Sequence, residues 1–169
     1  MNLEALQLIQ DENASVETLE RLSQDEDQFI RARVAAHANT STQTLVELAK
    51  DPSELVREFV AEHPNTPVET LVMLSEDSLT VSWVAGNPNT PIDVINKLST
   101  NEDVFVRISV SVNPNIPLET LDKMSKDADE NVRAAVAKNP RTPMDILERL
   151  SKDESEAVRE VVLEHPSRN

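Results

Sequence analysis

The residues of this chain that could do chemistry recur in register. His37, His63 and His165 are its three histidines, and Asn87, Asn113 and Asn139 hold the same register position in the intervening segments. A position shared by His and Asn at a helix end before proline suits one structural task, the hydrogen bonding of exposed backbone carbonyls. Copies about 10 Å apart in stacked units are too far apart to share a metal. Arg31, Arg57, Arg107, Arg133 and Arg159 form a second series, and Asp25, Asp51, Asp77, Asp127 and Asp153 a third. A guanidinium beside a carboxylate resembles an active-site pair, but a pair repeated in nearly every unit reads as a stacking device. The gaps in the two series settle who pairs with whom. Val81 stands in the arginine region of one unit and Asn101 at the aspartate position of the next. If each arginine reaches the aspartate of the following unit, no charge is orphaned, whereas pairing within a unit strands Asp77 and Arg107. The spacing therefore predicts Arg57 with Asp77, Arg107 with Asp127 and Arg133 with Asp153.

Ser23, Ser75, Ser99, Ser125 and Ser151 make a further series and are read as structural. With the single glycine Gly86 there is no Gly-rich phosphate loop, and neither a nucleophile elbow nor metal-ligand spacing occurs. The chain is expected to be no enzyme and to hold no cofactor or metal.

The elements that must position these series follow from the repeat itself. Pro64-Asn65-Thr66-Pro67 returns at Pro88-Asn89-Thr90-Pro91, Pro114-Asn115-Ile116-Pro117 and Pro140-Arg141-Thr142-Pro143, with weaker copies at Ala38 and Pro166. The step is 26 residues, except for one step of 24 between Pro64 and Pro88. Each unit holds two helix-sized stretches. Helix A is expected to open at Asp51-Pro52-Ser53-Glu54 and its counterparts, with the aspartate as N-cap and proline in the first turn. Its inward face carries Val34, Val60, Val84, Val110, Val136 and Val162. Helix B is expected to open on a capping box at Thr66-Pro67-Val68-Glu69. Its apolar residues Val68, Leu71 and Leu74 lie three apart, which suits a short α-helix or a 3₁₀-helix equally. Neither helix can bury its stripe alone, so the pattern predicts an all-α solenoid of two-helix repeats. Residues 1–14 form a degenerate cap, the repeats span 15–40, 41–66, 67–90, 91–116 and 117–142, and 143–169 is incomplete; all belong to a single repeat domain.

The run from Asp51 to Pro67, with Val-Arg, Val-Ala and Pro-Asn-Thr-Pro in order, resembles the leucine-rich repeat variant family, and the resemblance covers nearly the whole chain. It implies a right-handed α-solenoid with one α-helix and one second helix, often 3₁₀, per repeat. The cysteine-ligated iron–sulfur segment of some members does not carry over, because this chain has no cysteine.

With 31 Asp and Glu against 16 Lys and Arg, the net charge of −15 would repel a phosphate backbone or an anionic lipid surface. Absence of cysteine fits a reducing compartment, and Met1 to Gln10 lack a basic or long apolar stretch, so a soluble cytoplasmic protein is expected. The variable face of helix A is then the candidate surface. Phe59, Trp83, Phe105, Ile108 and Val112 lie on it, and Trp83 sits in the shortened repeat. The expected function is a protein-interaction scaffold presenting a curved, acidic surface to a protein partner, preferably a basic one. Two alternatives stand beside it: an end-to-end homodimer or structural solenoid joined through Val158 and Val162 of the incomplete last repeat, and an enzyme built on helical repeats.

Overall fold

The computed structural model describes residues 3–168 and divides into two compact units, Met1–Asn89 and Thr90–Asn169. Every described helix but one is α-helical, and no strand occurs among the described residues. In the first unit the A-type helices are α1 (Leu3–Gln10), α3 (Gln28–Ala36), α5 (Glu54–Glu62) and α7 (Val81–Gly86), alternating with the B-type α2 (Val16–Leu22), α4 (Thr42–Leu48) and α6 (Val68–Leu74). The second unit alternates the B-type α8 (Ile92–Leu98), α10 (Leu118–Met124) and α12 (Met144–Leu150) with the A-type α9 (Val104–Val112), α11 (Glu130–Lys138) and α13 (Glu156–Leu163), followed by a 3₁₀ turn at Pro166–Arg168. Successive A-type helices pack on one another within each unit, and each B-type helix packs on the A-type helix that follows it. This is the arrangement of a helical-repeat solenoid.

Helix B is an α-helix in every repeat, which answers the choice between α and 3₁₀. Its seven residues are too few to be stable in isolation, and they hold because Leu19, Leu45, Leu71, Ile95, Leu121 and Leu147 are completely buried against the A-type helices. The six valines expected on the inner side of helix A, from Val34 to Val162, are likewise fully buried. Val158 is buried as completely as Val162, so the two residues named for end-to-end pairing are core residues of α13 and offer no outward apolar surface.

Both expected caps sit differently. The N-cap of helix A lies two residues after the aspartate, at Ser53 or its counterparts Asp27, Asp103, Asp129 and Ser155. The aspartate instead closes an Asx turn: Asp51 Oδ1 accepts the Ser53 amide at 2.8 Å, and Asn101 does the same with Asp103 at 2.9 Å. Proline then lies in the lead-in turn, before the helix. Helix B begins at Val68, one residue later than a Thr66 cap requires, and Pro67 takes the N-cap without a side-chain bond. The Thr66 hydroxyl is turned the other way and donates to the Val60 carbonyl at the end of helix A, as Thr40 does to Val34 and Thr142 to Val136. The buried hydroxyl adds a second bond to a carbonyl that also accepts the C-cap amide, as Val60 accepts His63 at 3.2 Å. Only α2 and α4 carry the expected type of cap, through Ser15 and Ser41.

The 24-residue step has a local cause. Six residues separate Asp51 from Arg57, but only four separate Asp77 from Val81, and α7 is cut to six residues. The shortened loop lets the amides of Thr80 and Val81 bond the Asp77 carbonyl directly, at 3.1 and 3.0 Å. Elsewhere that carbonyl is closed by arginine, as Arg57 Nη1 closes Asp51 at 2.9 Å. The backbone has taken over the task, and valine can stand in the arginine position.

Thr66→Val keeps the shape and removes the buried donor, so it should lower the unfolding free energy by about 1–2 kcal/mol in urea denaturation. An unchanged midpoint would show that the Val60 carbonyl needs no partner beyond the His63 amide.

Candidate functional site

The sequence series form three ladders, two of which tie repeat to repeat within each unit. In the arginine ladder, Arg31 Nε lies 2.6 Å from Asp51 Oδ2, Arg57 Nη2 2.9 Å from Asp77 Oδ2, Arg107 Nε 2.9 Å from Asp127 Oδ2 and Arg133 Nε 2.8 Å from Asp153 Oδ2. The partner is the aspartate of the following repeat in every case, the alternative that leaves no charge orphaned. The same guanidinium turns Nη1 onto two carbonyls of its own lead-in loop: Arg107 reaches Asn101 at 2.8 Å and Glu102 at 3.2 Å. Arg159 makes the equivalent backbone pair with Asp153 and Glu154. The planar fork of arginine, with donors on both edges, makes this double engagement feasible where lysine could not.

The charges respond to this arrangement. The hydrogen bond from Arg133 holds the Asp153 carboxyl below the usual carboxylate range. The Leu79 amide and then Arg57 hold Asp77 low. Burial pushes Asp51 up, but the hydrogen bonds from Arg31 and Ser53 outweigh it and the group ends lower than usual. The guanidiniums of Arg31, Arg107 and Arg133 are correspondingly raised by their aspartates.

The His and Asn series forms the second ladder. His63 Nε2 donates to the His37 carbonyl at 3.1 Å while its Nδ1 accepts the Asn65 amide at 3.0 Å. His165 repeats this with the Asn139 carbonyl and the Ser167 amide. Asn87 donates to Ala61 and His63 and accepts from Asn89, and Asn139 donates to Ser111 and accepts from Arg141. Since a carbonyl can only accept and an amide can only donate, the ring must be neutral with its proton on Nε2. Burial accordingly lowers the pKa of His63. The serine ladder ends helix B, each hydroxyl donating to the carbonyl three residues earlier, as Ser75 does to Val72 at 2.7 Å. These groups are engaged in holding backbone. The notches between repeats are lined by them too: one of about 420 Å³ is walled by Ser99, Asn101, Arg107, Met124 and Asp127.

The candidate surface residues fall into two sets. Phe59 on α5 and Trp83 on α7 occupy equivalent positions on neighbouring helices of the first unit, Phe59 half-buried and Trp83 42 % exposed. Phe105, Ile108 and Val112 form a stripe on α9 in the second unit, with Phe105 70 % exposed, Val112 48 % and Ile108 half-buried. Phe29, 56 % exposed, and Leu79, 48 % exposed, stand at the register position of Phe105. The sequence reading missed both, although the register alone would have found them.

Two predictions follow from the ladders. Asp153→Asn keeps the Asx turn, as Asn101 demonstrates, and removes the charge facing Arg133, so it should cost about 1.5–3 kcal/mol in urea denaturation; a value within error of zero would make the pair ornamental. His63 is neutral when folded, while the unfolded imidazole binds a proton near pH 6.5. Its contribution is therefore complete above that value and is lost as pH falls below it, whereas the depressed aspartates keep theirs until the unfolded carboxylate value, about 4, is crossed. His63→Asn should shrink the difference between the urea midpoints at pH 7.5 and 5.5; an unchanged difference would assign that loss to other groups.

The leucine-rich repeat variant family model matches residues 54–79 and 130–155, each running from helix A through helix B into the next lead-in loop. No curated protein matches the chain. Among solved structures, the chain is similar to a leucine-rich repeat variant described as having a novel repetitive structural motif, at 29 % identity and a TM-score of 0.64, covering 95 % of this chain and 70 % of that one. Two repeats of this chain thus match the leucine-rich repeat variant model, and the chain has the helical-repeat fold of that solved structure.

Proposed function

We propose that this chain is a non-enzymatic cytoplasmic scaffold that binds a protein partner, preferably a basic one, on the outer face of its A-type helices. The observation that carries the reading is the contrast between the two sides of those helices. The inner side is mostly buried valine and alanine, while the outer side exposes large apolar residues, Phe105 and Trp83 among them, on a chain of net charge −15. Repeated helices keep their packing side constant and are free to vary the other, which is how such scaffolds acquire specificity. Exposed aromatics supply anchors, and surrounding carboxylates speed and select the approach of a cationic partner. Against catalysis stands the engagement of every histidine in the His and Asn ladder with backbone groups. No helix among the described residues is long and apolar enough to cross a membrane, consistent with a partner met in solution.

The reading is tested with the folded chain immobilised and challenged with cell extract at rising salt. A bound protein should elute earlier as salt screens the attraction, and Trp83→Ala should weaken it by roughly thirtyfold, about 2 kcal/mol, with the melting temperature nearly unchanged. If Trp83→Ala instead costs about 3–5 kcal/mol of stability without a selective loss of binding, the residue is packing and the surface assignment fails.

A further inference from the structure

Three of the four aromatic residues of the chain lie on one face of the first unit. Two register positions four residues apart carry them, one on either side of the arginine position. There α3 presents Phe29 and Arg33, α5 Leu55 and Phe59, and α7 Trp83, with Leu79 in the turn that leads into α7. Four residues make about one helical turn, roughly 6 Å, so the pairs on α3 and α5 each share a face. Because α3 packs on α5 and α5 on α7, these two pairs and Trp83 lie on adjoining helices. Phe29, Leu79 and Trp83 are exposed and Leu55 and Phe59 half-buried. The same positions in the second unit hold Phe105 and Ser109, Asn131 and Ala135, and Ala157 and Val161, mostly short or polar side chains. Beside the apolar pair of α5 runs a row of carboxylates, Glu54, Glu58 and Glu62, again four residues apart.

We propose that this face of the first unit docks a basic amphipathic helix of another protein. The proposal rests on the scaffold reading above and assigns its partner a chemical class and a place. The partner sets an apolar stripe on the patch formed by Phe29, Leu55, Phe59, Leu79 and Trp83, and a neighbouring stripe of Lys or Arg faces Glu54, Glu58 and Glu62. A helix repeats its side chains every three to four residues, so its cations fall at the same spacing of about 6 Å as the glutamates. An apolar helix without cations would desolvate three unpaired carboxylates, which is costly. A basic coil without an apolar face would leave the aromatic side chains in water and forgo the anchors that dominate interface energies.

Trp83 is the only tryptophan, so its emission reports contact at this face. The full chain is titrated with a tryptophan-free peptide of leucine and lysine, leucine at i, i+3, i+4 and i+7 and lysine on the adjoining stripe, and with the same composition scrambled so that no face forms. The ordered peptide should produce a saturable blue shift, the scrambled one should bind about tenfold or more weakly, and Phe29→Ser, at unchanged melting temperature, should weaken the ordered peptide to a similar degree. Equal binding of the scrambled peptide, or no binding of either, overturns the proposal. So does binding seen calorimetrically that leaves Trp83 emission unmoved, or that survives Phe29→Ser and is lost on Phe105→Ala. Those last two results move the site and leave the scaffold standing, whereas an immobilised chain that retains no protein at all removes the scaffold reading itself.

Discussion

A helix of seven residues has more end than middle. Its first four amides and last four carbonyls find no partner within the helix, so a chain made of such helices must close its backbone from outside or leave buried polar groups unpaired, each at a cost of about 1–3 kcal/mol. In this protein the A-type and B-type helices span six to nine residues, and the repeated polar series are the answer to that constraint. Arginine closes the lead-in carbonyls, histidine or asparagine closes the carbonyl of the preceding repeat, threonine closes the last turn of helix A, and serine the last turn of helix B. No buried side-chain nitrogen or oxygen among the described residues is left without a partner.

This division of labour explains why residue types that often mark active sites recur here as partners of the backbone. A neutral imidazole whose two nitrogens are both committed to backbone has neither a proton to give nor a lone pair to offer. An arginine that grips two carbonyls with one edge and a carboxylate with the other is a strut. Asparagine replaces histidine in the ladder without loss because one donor and one acceptor at the right spacing are all that the position demands. The shortened repeat obeys the same logic. Where loop shortening brings two amides onto the Asp77 carbonyl, the arginine is dispensable and Val81 takes its place.

The repeat, the buried valines and the cross-repeat pairing of arginine with aspartate were legible because each rests on comparison between units of one chain. The joint loss of arginine at Val81 and aspartate at Asn101 carried the pairing without any geometry. What escaped was the choice between partners that the sequence leaves equivalent. Asp51 followed by Pro52 and Ser53 reads as an N-cap or as an Asx turn ahead of one, and the two differ by a shift of two residues. Thr66 before Pro67 can cap the helix that follows or close the one before, and only the burial of that hydroxyl decides. The missing threonine at Ile116 therefore weakens the end of α9 rather than the start of α10: the Val110 carbonyl loses the side-chain donor that its counterparts have, while Ile116 itself is completely buried. Phe29 and Leu79 share the register of Phe105, and only following that position from repeat to repeat singles them out.

In the proposed scaffold, specificity lies on the outer face of the A-type helices, where variation is free because the polar side chains that hold the backbone lie elsewhere. Changing Phe29 to Asn131 or Ala157 at equivalent positions breaks no ladder and leaves the valine core intact, so the face can diverge from repeat to repeat at little cost in stability. The acidity of the protein fits this view. Its carboxylates outnumber what the struts require: the ladder consumes one aspartate per arginine, while glutamates such as Glu54, Glu58, Glu62, Glu156 and Glu160 lie along the outer sides of α5 and α13. Such unneeded like charges destabilise a compact fold modestly through mutual repulsion. In the proposed scaffold a cationic partner would relieve that repulsion on binding, so the charge that weakens the isolated chain would become part of the driving force for association.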